Sequence, residues 1–147
     1  MYPQFYSYNR IPTDIHIVSD ITKAINGEYS AIACYAQLAE MASTEKEKEQ
    51  ILEIREDEIK HYNIFSAIYM SLTGKQPTPQ ITETCPKIYK DGLESAIEDE
   101  QKTVDFYLDI ADKAQDSYIK KQFRRAATDE QNHAVWFLYF YTKLFER

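Results

Sequence analysis

A chain of 147 residues, 44% hydrophobic and 28% charged, is long enough for one domain with a buried core and too short for two ordinary ones. Three glycines and five prolines are too few for the turns of a sandwich or barrel, and 24 acidic against 17 basic side chains, net −7, argue against a phosphate-backbone partner. No apolar run approaches the ~18–20 residues of a membrane span, and Met1 opens no signal peptide, so an all-helical, soluble, cytoplasmic protein with neither a nucleic-acid nor a membrane partner is expected.

Residues 1–18 read as an irregular aromatic-rich arm, with Tyr2, Phe5, Tyr6 and Tyr8 among Pro3 and Pro12; residues 19–147 read as the folded domain. His16, in the arm, is expected to be structural. From Asp20 to about Ser43 the positions Ile21, Ala24, Ile25, Ile32, Tyr35 and Leu38 follow helical spacing, with Ser19 or Asp20 as cap. Thr44-Glu45-Lys46-Glu47 reads as a capping box that opens a second helix through Ile51, Ile54, Phe65 and Ile68 to a stop at Gly74. Residues 75–90 hold Pro77, Pro79 and Pro86 and read as a connector. Sixteen extended residues reach at most ~53–58 Å, and a helix of about 28 residues is only ~42 Å long, so the connector can cross the full length of a bundle. A third helix is expected from near Asp91, or a turn earlier, to about Gln115, and a fourth from near Ser117 to the C-terminus. Cys34 and Cys85 form no CxxC; Cys34 is expected as a small buried hydrophobe, and Cys85 follows no recognisable scheme.

Sliding the sequence by 72 residues superposes its halves, residues 20–75 on 92–147, with 14 of 56 positions identical and no gap. Glu28 meets Glu100, Tyr35 meets Tyr107, and Asp57-Glu58-Ile59-Lys60-His61 meets Asp129-Glu130-Gln131-Asn132-His133. Polar residues that repeat are the ones a core does not need. In each half the lone Glu and the ExxH are centred on the interhelical turn, so an antiparallel hairpin sets them at one height near mid-helix. The Glu and His of an ExxH share one helix face. Two such hairpins facing each other gather four Glu and two His in one core. Four buried carboxylates would repel and lose hydration. Two divalent cations offset the four charges, and oxygen-rich coordination with one imidazole each suits iron or manganese better than zinc or copper.

The A-I-x-x-E-x-x-x-x-x-x-Y pattern of both odd helices and the D-E-x-x-H of both even helices resemble the rubrerythrin family of the ferritin-like superfamily, over about residues 20–145. The resemblance implies a ferritin-like four-helix bundle, two antiparallel hairpins joined by a long crossover, around two iron ions, with manganese or a mixed pair as the alternative. It implies Glu28 and Glu100 as terminal ligands, Glu58 and Glu130 as bridges, and His61 and His133 on one metal each. It also implies that Asp57 orients His133 and Asp129 orients His61. The paired CxxC motifs of a rubredoxin-like module are missing, so electrons would come from an external donor such as a separate rubredoxin-like protein. Thr103 and Ala31 stand where the family's extra Glu would fall, which implies a symmetric site.

The function expected is a di-iron peroxidase or ferroxidase acting on peroxide or O₂, in which Tyr35 and Tyr107 either serve catalysis by hydrogen-bonding ligands or carrying an electron, or are core aromatics with a satisfied hydroxyl. Alternatives are a di-manganese catalase, an iron-storage subunit, and a non-enzymatic metal-stapled structural or coat protein. The aromatic surplus, with Trp136, Tyr139 and Phe140 close together on the last helix and expected to be exposed, suggests a homodimer or larger assembly.

Overall fold

The computed structural model describes residues 14–146, so the aromatic arm up to residue 13 lies outside the described residues. A 3₁₀ turn, Ile15–Ile17, leads into four helices: α1 Val18–Glu40, α2 Glu45–Thr73, α3 Tyr89–Lys113 and α4 Ser117–Lys143. No strand occurs among the described residues, and the dominant packing is α1 on α2 and α3 on α4. The fold is a four-helix bundle of two hairpins, with residues 75–88 crossing between them.

The helix boundaries follow from local chemistry. Thr44 accepts a hydrogen bond from the Glu47 N–H at 3.1 Å and so caps α2. The Glu47 carboxylate accepts the Thr44 hydroxyl at 3.3 Å and the Tyr89 hydroxyl of α3 at 2.8 Å. Gly74 ends α2 with φ 72°, a left-handed conformation that costs glycine little. Asp116 caps α4 by accepting from the N–H groups of Tyr118 and Ile119.

The N-terminal boundary departs from expectation. Residues 15–18 are not irregular but already helical, and neither Ser19 nor Asp20 caps α1, because both sit inside its first turn. Asp20 instead accepts from the Lys113 ammonium at 3.3 Å. The buried Asp14 carboxylate accepts the backbone N–H groups of Gln115 (2.7 Å) and Asp116 (2.9 Å), which ties the turn to the α3–α4 loop. His16 lies on the same junction, its Nε2 3.1 Å from the Lys113 carbonyl oxygen.

Two further expectations are corrected. Cys34 is not an isolated hydrophobe: it is joined to Cys85 by a disulfide, Cα–Cα 5.3 Å, because the crossover folds back against α1. Phe140 is buried, 3% exposed, and belongs to the core, so of the three clustered aromatics only Tyr139 is openly exposed.

The core has three layers along the bundle. One apolar cluster is built around Ile17, Phe65, Tyr107 and Phe123, with the Phe65 and Phe123 rings stacked at 4.2 Å. A second gathers Tyr35, Leu38, Ile51, Leu93 and Phe137. Between them every helix contributes its buried polar residues: Glu28 from α1, Glu58 and His61 from α2, Glu100 from α3, Glu130 and His133 from α4. The apolar layers on either side shield these groups from the two ends of the bundle.

Candidate metal centre

The six side chains are each at most 3% exposed. They form two donor clusters, Glu28, Glu58, His61 and Glu130 in one, Glu58, Glu100, Glu130 and His133 in the other. Within each, one donor atom per residue lies within 4.8 Å of all the others. Glu58 and Glu130, the glutamates of the two ExxH motifs, belong to both clusters. Their register follows from the helix repeat: the Glu and His at i and i+3 project from one face of α2 and of α4.

Each imidazole is held by the opposite hairpin. His61 Nε2 is 2.8 Å from Asp129 Oδ2, and His133 Nε2 is 2.8 Å from Asp57 Oδ2. The phenols cross over in the same way. Tyr35 donates to Glu100 and Tyr107 donates to Glu28, both at 2.6 Å. The 72-residue offset exchanges the members of each pair with those of its counterpart, so the polar layer has an approximate two-fold axis. Both tyrosine rings also pack on core aromatics, Tyr35 on Phe137 and Tyr107 on Phe65 and Phe123. Burial, and then the neighbouring Glu100 or Glu28 charge, raises both phenol pKa values, so the hydroxyls remain donors.

With Nε2 donating to aspartate, the inward Nδ1 of a neutral imidazole offers a lone pair. His61 Nδ1 faces oxygens of Glu28 at 3.2 Å, Glu130 at 3.2 Å and Glu58 at 3.3 Å. His133 Nδ1 faces Glu58 at 3.4 Å and Glu100 and Glu130 at 3.5 Å. One oxygen of each of Glu28, Glu58, Glu100 and Glu130, and His133 Nδ1, are buried without a hydrogen-bond partner. Lone pairs converging on one point in a dry core repel unless a proton or a cation stands among them. Protons are the substitute when no metal is present. Burial, then Glu130 and Glu28, push the Glu58 carboxyl well above the usual range; burial, then Glu100 and Glu28, do the same to Glu130. Burial opposes a charge on His61, but its hydrogen bonds to Asp129, Glu130, Glu28 and Glu58 prevail and raise its pKa. For His133 the same contest, led on the raising side by Glu100, ends at about 9. The orphaned oxygens, the two inward nitrogens and the hard donor set fit a pair of divalent cations sharing two carboxylates.

Two features escaped the sequence reading. Arg125 donates to Asp129 at 3.0 Å across one turn of α4, and with His61 it overcomes burial to keep Asp129 a carboxylate. The i, i+4 spacing carried that signal. A cavity of about 340 Å³ also runs between α1 and α3 to Glu28, Glu100, Glu58 and Glu130, with Tyr35 and Tyr107 on its walls. It depends on small residues, Ala24, Gly27, Ala31 and Ala96, whose role shows only when the helices are assembled.

Comparison with known proteins agrees with this geometry. A family model described as Rubrerythrin matches residues 91–147. An uncharacterised protein, YhjR of Bacillus subtilis (strain 168), is 50% identical over 139 residues, 92% of this chain and 96% of that one. A solved structure of a hypothetical protein from Pyrococcus furiosus shares the fold, with a TM-score of 0.77 over 88% of this chain and 90% of that one at 24% identity.

Proposed function

The chain belongs to the rubrerythrin family, and from that premise we propose that it is a di-iron oxidoreductase that reduces peroxide. The observation that carries this reading is the sharing of Glu58 and Glu130 between two donor clusters that each hold one imidazole. On this reading Glu28 and His61 complete one metal position, Glu100 and His133 the other, and Asp129 and Asp57 orient the imidazoles. A ferrous pair held there would supply the two electrons that, with two protons, convert hydrogen peroxide to two waters.

The chain's own groups do the rest. The α1–α3 cavity admits a molecule of peroxide size to the carboxylates, and the apolar layers on either side shield them from the two ends of the bundle. Tyr35 and Tyr107 hold Glu100 and Glu28 in place through their hydroxyls and present the only phenols on the cavity wall among the described residues. Electrons arrive from an external donor, for which a separate rubredoxin-like protein is suited. The homodimer belongs to the same proposal; with Phe140 buried, it rests on Val135, Leu138 and Tyr139, all about half exposed or more, and solution mass checks it.

The test is anaerobic loading with ferrous ion followed by peroxide. Stoichiometric oxidation of the bound iron, with repeated turnover only when a reductant is present, is expected. Sustained release of O₂ without reductant would replace peroxidase by catalase chemistry, and iron unreactive to peroxide would end the enzymatic reading.

A further inference from the structure

The crossover is held to the bundle in an unusual way. No residue between Leu72 and Gly92 is buried, so apolar packing does not anchor it, and Ile81 is 55% exposed. Its prolines, Pro77, Pro79 and Pro86, favour an extended path without internal backbone pairing. Three residues of α1 spaced four apart, and therefore on one stripe of the helix, hold it instead. Asn26 accepts the Gln80 N–H at 3.0 Å, Ser30 accepts the Thr82 N–H at 2.9 Å, and Cys34 bonds covalently to Cys85. The bond to Asn26 is exposed and readily exchanged for water, whereas the bond to the buried Ser30 is part-buried. The disulfide is the one covalent tether.

This tether stands between two spaces. On one side lies an open groove of about 490 Å³, lined by both cysteines, Ile81 and Lys87. On the other lies the α1–α3 cavity, which shares Ser30, Cys34, Thr82, Glu83 and Thr84 with the groove and ends at the metal-centre carboxylates. Both cysteines are only partly buried, within reach of a thiol arriving through the groove.

We propose that Cys34–Cys85 is a thiol-exchange site for a dithiol reductant, and that its reduction frees the 80–85 segment from the rim of the cavity that leads to the metal centre. A donor thiolate attacks one sulfur, giving a mixed disulfide and releasing the other cysteine as a thiolate, which takes a proton. The donor's second thiol then displaces the remaining cysteine. The net change is Cys34–S–S–Cys85 plus a dithiol giving two protein thiols and the donor's disulfide: two electrons and two protons pass from donor to protein. In a reducing compartment such a bond is transient, as an exchange site requires. The role given to the cavity rests on the metal-centre reading; the exchange itself does not.

The test uses the full chain. Alkylation without reductant is expected to find no free thiol, and treatment with dithiothreitol under native conditions to expose two, with helical content by circular dichroism unchanged. Thermolysin cleavage at Ile81 is expected to accelerate at least tenfold on reduction, and to be equally fast in Cys34→Ser/Cys85→Ser with or without dithiothreitol. Cobalt(II) uptake by metal-free protein, followed by absorbance, is expected to quicken at least threefold in both reduced wild type and the double variant. Free thiols at the outset, a bond that resists native dithiothreitol, unfolding on reduction, or unchanged cleavage would each overturn the proposal. Faster cleavage with unchanged cobalt uptake would overturn the link to the cavity. If no cobalt bound in any state, the metal reading would fall while thiol counts and cleavage still judged the exchange site.

Discussion

Glu58 and Glu130 are more central to the candidate site than its other four donors, because each faces both inward imidazole nitrogens, those of His61 and His133. Removing either one takes a donor from both positions and unbalances the charge that two cations would neutralise. Glu58→Ala or Glu130→Ala is therefore expected to drop metal content from two ions per chain to less than one by elemental analysis, whereas His16→Ala leaves it unchanged. Two ions retained by Glu58→Ala would contradict the bridging assignment. Protonation sets a second expectation at this scale. With His133 raised to about 9 and His61 raised as well, the metal-free centre holds protons near neutrality that a cation must displace. Metal affinity therefore rises with pH through about 9, where His133 loses its proton. In the metal-free protein the His133 contribution to stability is full below 6.5 and is lost as pH climbs through about 9. Metal-free protein is thus expected to melt at lower temperature at pH 9 than at pH 6.5, a trend that bound metal suppresses; a Tm rising over that interval would contradict this. At this scale the sequence was informative because Glu28, Glu58, His61, Glu100, Glu130 and His133 recur at one offset in positions a core does not require. The cross-hairpin partners Asp57 and Asp129 came from family resemblance, and the partners of the Tyr35 and Tyr107 hydroxyls needed coordinates, since they depend on how two hairpins face each other.

Helix periodicity made α2, α3 and α4 legible to within a turn, and at α2 the cap Thr44 and the stop Gly74 act on their immediate neighbours. The start of α1 was not legible. Its determinant is Asp14, whose partners are backbone N–H groups about a hundred residues away, and no local pattern encodes them. Asp14→Ala leaves two N–H groups at the α3–α4 junction without their acceptor and is expected to destabilise the chain by about 1–3 kcal/mol in urea unfolding. A change under about 0.5 kcal/mol, the size usual for a surface substitution, would show that the junction does not depend on this clamp. The Cys34–Cys85 link was hidden for the same reason: cysteines 51 apart reveal a pairing only when the path of the crossover is known. Closing so long a loop is worth roughly 2–4 kcal/mol on entropic grounds.

At the scale of the whole molecule, the arrangement is a polar layer clamped between two apolar ones, and its stability depends on what occupies the layer. Without cations the bundle must keep four carboxylates apart or protonated; with cations bound, the same carboxylates would hold all four helices together. Any ion that binds the folded chain and not the unfolded one raises stability by mass action, by about 4 kcal/mol at a thousandfold excess over Kd. The composition excluded other fold classes, and the crossover's length allowed the hairpins to stand in this relation, but the cavity between α1 and α3 depends on the small residues that line it. Everything proposed for this layer turns on its holding two metal ions per chain. The most direct measurement is an anaerobic titration of metal-free protein with ferrous ion, followed by desalting and elemental analysis. Saturation at two irons per chain retained after desalting, with Tm rising in step, is expected. Saturation at one ion, or retention of none, would contradict a two-metal layer.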